Sequence, residues 1–150
     1  MNSSQLLAMI PLVPLLAMLA IFGTARWPNV REAVSVLTGL LLFGLVVMLV
    51  GQVDSQAAPT FVLAEPFPGL ALALSPEPLG MLFALVASFL WPVTTVYSIG
   101  YMRAHHEENQ TRFYAAFAAS IAATMGIALS SNMLTLFVFY ELLTLATYPL

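Results

Sequence analysis

The chain has 150 residues, 61% of them hydrophobic and only 7% charged, with a formal net charge of −3. Soluble domains are about 45–50% apolar and about 25% charged, and a fold this small cannot hide so much apolar surface from water. Composition therefore excludes a soluble enzyme, a disordered chain and a nucleic-acid binder, and the absence of cysteine excludes disulfides, thiolate metal ligands, iron–sulfur ligation and thiol nucleophiles.

A helix that crosses the hydrocarbon core needs about 20 mostly apolar residues. Taken in chain order, five segments qualify: about 6–22, 34–50, 79–98, 113–129 and 133–150. The first lacks a basic residue before its apolar run and contains Pro11 and Pro14, so it is expected to be a retained membrane helix rather than a signal peptide. Between the second and third spans, the apolar stretch Phe61–Leu74 is broken by Glu65, Pro66, Pro68 and Gly69, which suits a short hairpin. The expected fold class is an all-α polytopic membrane protein, one membrane region over 1–150. It has five transmembrane helices and an external hairpin-like segment between the second and third.

Charge gives an orientation. Arg26 and Arg31 fall between spans one and two, and Arg103 and Arg112 between spans three and four. The positive-inside rule makes loops 23–33 and 99–112 cytoplasmic, and puts the N-terminus and the 51–78 segment outside. Trp27, Tyr97, Tyr101 and Tyr148 lie near span ends, where amphipathic rings settle. Trp91 is mid-span and is expected to pack against another helix, with Pro92 bending the span beside it.

Span four carries small residues every four positions: Ala115, Ala119 and Ala123, and again Ala118, Ala122 and Gly126. Small-xxx-small spacing lets helix backbones approach closely, which predicts a central helix. Ser120 and Thr124 on it are candidates for a wet path. Glu77, within Ser75-Pro76-Glu77-Pro78, and Asn132 are expected to cap the helices that follow them.

Glu141 stands about mid-bilayer in span five, where a carboxylate costs about 2.5–3.5 kcal/mol on insertion scales. Either protonation or a buried cation relieves that cost, and a group alternating between the two states carries protons. Thr144 at i+3 and Tyr148 at i+7 share its face and could act as polar relays, while Phe137 and Leu134 continue the face as apolar residues. The alternative for Thr144 is a hydrogen bond back to Tyr140. His105-His106-Glu107-Glu108 invites a metal reading, but adjacent histidines do not face one site and no third ligand is patterned nearby. The expected reading is a solvated loop, with surface proton collection by His105 and His106 as its functional alternative. No metal site and no catalytic residue is expected.

Three segments together resemble a known family. They are Tyr97-Ser98-Ile99-Gly100-Tyr101-Met102, then Arg112-Phe113-Tyr114, then Asn132-Met133-Leu134-Thr135-Leu136-Phe137-Val138-Phe139-Tyr140-Glu141-Leu142-Leu143-Thr144 with Tyr148-Pro149-Leu150. The family is that of the antiporter-like subunits shared by respiratory complex I, Mrp-type cation/proton antiporters and membrane-bound hydrogenases. The resemblance runs from about Pro78 to Leu150 and is nearest to the D-type subunit of Mrp antiporters. It implies two inverted helical repeats, each with a broken helix, of which this chain would be the N-terminal portion. It also implies that Glu141 pairs with a lysine on a later helix and takes part in proton transfer. It implies no cofactor and no redox site in this chain. The implied partners are other membrane subunits, lipid, protons and Na+ or K+, in a bacterial plasma or inner membrane. The alternatives are a membrane subunit of an NADH:quinone oxidoreductase or of a membrane hydrogenase, and a purely structural membrane subunit.

Overall fold

The computed structural model describes residues 3–52, 61–68, 70–75, 77–105, 108 and 110–148. These form five helices and one two-stranded hairpin: α1 (Ser3–Gly23), α2 (Pro28–Gln52), β1 (Phe61–Phe67), β2 (Leu70–Leu74), α3 (Pro78–His105), α4 (Gln110–Ala128) and α5 (Met133–Thr147).

The antiparallel hairpin pairs Phe61 with Leu74 and Phe67 with Leu70, with irregular register between Ala64 and Phe67. Pro66, which has no N–H to donate, lies within that irregularity, where a strand tolerates it. The hairpin is fastened to the α4–α5 junction by backbone bonds. Ser75 N donates to Leu129 O at 2.7 Å and Ser131 N to Ala73 O at 3.0 Å.

Helix α4 packs against α1, α3 and α5, and α2 packs against α1 and α3. The expected central helix is therefore found, and its small residues make the contacts: Ala115, Ala118, Ala122, Ala123 and Gly126 are buried. At Gly126 an added Cβ would lie 2.2 Å from the Phe139 ring of α5, and at Gly80 of α3 it would lie 2.0 Å from the Ala128 carbonyl oxygen. Such backbone approach is open only to glycine. The core also takes Leu6, Ile10 and Ile21 from α1 and Leu42, Val46 and Leu49 from α2. Trp91, only 2% exposed, is buried as expected.

Two expectations are met only in part. Among the described residues three helices, not five, are both long and apolar enough to cross a membrane: α1, α2 and α3. Helix α4 has 19 residues but is diluted by Ser, Thr, Gln and Arg112. It can be less apolar because three helices cover it. Helix α5 has 15 residues, about 22 Å at 1.5 Å per residue, against about 30 Å of hydrocarbon. The expected fifth span continues to Pro149 and Leu150, which lie outside the described residues. The second concerns the expected loops 23–33 and 99–112. Helix α2 begins at Pro28 and α3 continues to His105, so Arg31, Arg103 and His105 are helical residues. The helices extend this far because Arg31 and Arg103 find side-chain partners on neighbouring helix ends.

Candidate functional site

Helix α5 starts at Asn132, whose extended backbone and side-chain oxygen make the expected N-cap: Oδ1 accepts from Thr135 N at 2.9 Å. Thr135 is fully buried. Its hydroxyl donates to Asn132 Oδ1 at 3.0 Å and accepts from Ala73 N at 2.9 Å. The hairpin and the cap thus set where α5 begins and which side it turns toward α4. At the start of α3 the Glu77 carbonyl accepts from Met81 N at 2.8 Å, the first backbone bond of that helix and not a side-chain cap like that of Asn132.

That rotation puts Glu141 on the outer face of the bundle, eight residues after Met133. Its side chain is exposed, and among the described residues it has no hydrogen-bond or ion-pair partner. Thr144 and Tyr148 lie on the same exposed face, Tyr148 being 91% exposed. Phe137 and Tyr140 are exposed beside them, while Leu134 is half-buried. The three polar residues therefore share a face, but no described hydrogen bond joins them. Thr144 Oγ1 donates to Tyr140 O at 3.1 Å, the local alternative. Ser120 and Thr124 of α4 likewise donate to Ala116 O and Ser120 O, each at 2.8 Å.

His105 is exposed in the last turn of α3. Its ring stacks on Tyr101 with centroids 4.2 Å apart, and Nδ1 lies 2.9 Å from Tyr101 O. His106 and Glu107 lie outside the described residues. Among the described residues no group of three His, Asp or Glu side chains could hold a metal ion.

A charged cluster that sequence patterning did not single out joins α2, α3 and α4. Arg103 of α3 grips Glu32 of α2 with two nitrogens, Nε at 3.1 Å from Oε1 and Nη2 on Oε2, and Nη2 also donates to Asn29 Oδ1. The Glu32 side chain is 6% exposed and that of Arg103 52%. One residue earlier, Arg31 is buried and donates to Thr111 Oγ1 at 2.7 Å and Gln110 Oε1 at 3.1 Å, with its guanidinium carbon 5.4 Å from the Tyr114 ring centroid. These contacts close one end of the bundle, opposite the hairpin. The only trace of them in the sequence is the grouping of arginines at two junctions, which fixes an end of the molecule but not who pairs with whom.

No protein-family model matches the chain. Over 82 residues, 55% of this chain, it is 32% identical to the A1 subunit of a Na(+)/H(+) antiporter of Staphylococcus aureus strain bovine RF122 / ET3-1. The same identity and coverage hold for the A1 subunits of strains JH9 and Newman. The matched region is 10% of each relative, so the chain spans only a small part of their length. These relatives are of the A1 kind, not the D type expected from the sequence resemblance.

Proposed function

We propose that this chain is part of a proton-translocating, antiporter-like membrane subunit of the monovalent cation/proton type. It works among other membrane subunits in a bacterial cell membrane. Glu141 is its proton carrier, with Thr144 and Tyr148 as polar neighbours on the path. The observation that carries the reading is Glu141 itself: a carboxylate midway along an apolar helix, on a face without partners among the described residues, in a chain with 32% identity over 82 residues to a Na(+)/H(+) antiporter subunit. Such a group is too costly to leave ionised and alone in hydrocarbon.

The mechanism is electrostatic. A cation brought beside Glu141 from another helix stabilises the carboxylate. Withdrawing the cation leaves a charge in low dielectric, and the carboxylate takes up a proton. Na+ or K+ moves in exchange. Within this class the motifs of the chain favour the D type and its relatives favour the A type. His105, exposed at the arginine-bearing end, is the surface proton collector in this reading.

The test is cation-dependent proton transport by the assembled complex in vesicles of matched protein content. Glu141→Gln keeps the shape and hydrogen-bonding capacity but cannot ionise, and it should abolish transport while assembly persists. Glu141→Asp should retain a part. Wild-type transport by the Gln variant would leave Glu141 as a packing residue and end this reading.

A further inference from the structure

Between α2, α3 and α4, just inside the charged cluster, lies a small cavity of about 10 Å³. Its wall is rich in hydroxyls: Ser35 from α2, Thr94, Thr95 and Ser98 from α3, and Tyr114 from α4. Ser35, Thr95 and Tyr114 are all more than nine-tenths buried. A helical serine or threonine can satisfy itself on its own helix, and Ser35 does so, donating to Arg31 O at 3.2 Å. A tyrosine hydroxyl stands too far from its own backbone for that and must find a partner elsewhere. The Tyr114 hydroxyl is buried and has no hydrogen-bond partner among the described residues.

We infer that this cavity is a binding site for a single ordered water molecule, held by the Tyr114 hydroxyl and the hydroxyls of the α3 wall. The size fits: a cavity holds one water when about 10–15 Å³ is open to its centre, provided two to four polar groups surround it. The charge fits as well. Arg31 and Glu32, adjacent on α2, put opposite charges at this end of the bundle, so neither sign of ion is favoured over a neutral molecule. The water completes the hydrogen bonding of the α2–α3–α4 junction. It supplies one hydrated position between the charged end and the interior, and it does not depend on any role of Glu141.

X-ray hydroxyl-radical footprinting of the full protein in lipid nanodiscs tests this, because radicals born from a bound water oxidise the side chains beside it. Tyr114 should be labelled several-fold faster than Met125, which is fully buried on the same helix away from this cavity. Thr95→Val, nearly isosteric, replaces a hydroxyl of the wall by a methyl and should bring Tyr114 labelling down to the Met125 level. Exchange of Na+ for choline in the buffer should leave labelling unchanged. Tyr114 in the unmodified protein labelled no faster than Met125 would show a dry cavity and overturn the inference, whatever the variant does. Labelling that persists in Thr95→Val would show that the water is not held here. Labelling suppressed by Na+ would replace the water by a cation.

Discussion

Two carboxylates on helices of this chain meet opposite fates, and the difference separates structure from chemistry. Glu32 is buried and held by two nitrogens of Arg103, so its charge is compensated where it stands. Glu141 is exposed on α5 and has no such partner among the described residues. Breaking a fully buried ion pair by removing one member costs about 3–5 kcal/mol, whereas an exposed pair is worth about 0–1 kcal/mol. With Glu32 buried and Arg103 half-exposed, Arg103→Met should cost an intermediate amount, about 1–3 kcal/mol, by stranding the Glu32 carboxylate. Glu32→Gln should cost less, because an amide oxygen still accepts from Arg103. Adding Glu32→Gln to Arg103→Met should recover part of the loss, since the stranded group is then neutral. Thermal unfolding in detergent, followed by the fluorescence of Trp27 and Trp91, reads all three. A double variant as unstable as Arg103→Met alone would show that Arg103 acts through something other than Glu32.

At the scale of elements, α4 and α5 show which features a sequence exposes. Spacing of small residues is a local property, and Ala115, Ala118, Ala122 and Gly126 of α4 announced a packed helix that the fold then surrounds. The Asn132 cap was legible for the same reason, being decided within four residues. The hairpin was legible from its proline and glycine punctuation, but its anchorage was not. Thr135 reads as one more residue of an apolar helix, and only the fold brings it to Ala73, 62 positions away. The same limit hid the partners of Arg31 and Arg103, which lie 71 to 80 positions off. Helix lengths were legible only in part, since hydropathy judges α4 without its protein neighbours, and the expected fifth span ends at 149–150, outside the described residues. The Thr135 anchorage makes a prediction about α5. Thr135→Val keeps the volume but leaves the Ala73 N–H buried without an acceptor, which costs about 1–3 kcal/mol. Thr135→Ser keeps the hydroxyl and should lose much less. Limited proteolysis should cut the Val variant faster within the hairpin while leaving α1 and α2 intact. Equal protection of the Val and Ser variants would mean that the bond to Ala73 contributes nothing measurable.

For the whole molecule, the polar features sort to two ends. Arg26 follows α1, Arg31 begins α2, Arg103 ends α3 and Arg112 begins α4, and contacts among α2, α3 and α4 hold three of these helix ends together. The hairpin packs at the other end, against the α4–α5 junction. The redrawn helix boundaries move Arg31, Arg103 and Arg112 from loops to helix termini and leave Arg26 in the turn after α1, yet they do not move any of them to the opposite end. The orientation argument survives the correction, because the positive-inside bias counts charges near span ends as well as in loops. It predicts that the arginine-bearing end faces the cytoplasm and the hairpin end faces outward. The chain contains no cysteine, so single substitutions can be read on an unmodified background. Glu77→Cys, exposed before α3 at the hairpin end, should react with a membrane-impermeant maleimide added to intact cells. Glu108→Cys, exposed between α3 and α4 at the arginine end, should react only after the membrane is opened. Both glutamates are surface residues, and replacing either removes no described ion pair, so reactivity reports side and not folding. Labelling of Glu108→Cys but not Glu77→Cys in intact cells would invert the molecule. It would place His105 and the charged cluster on the outside, and proton collection by His105 would then be drawn from the external medium.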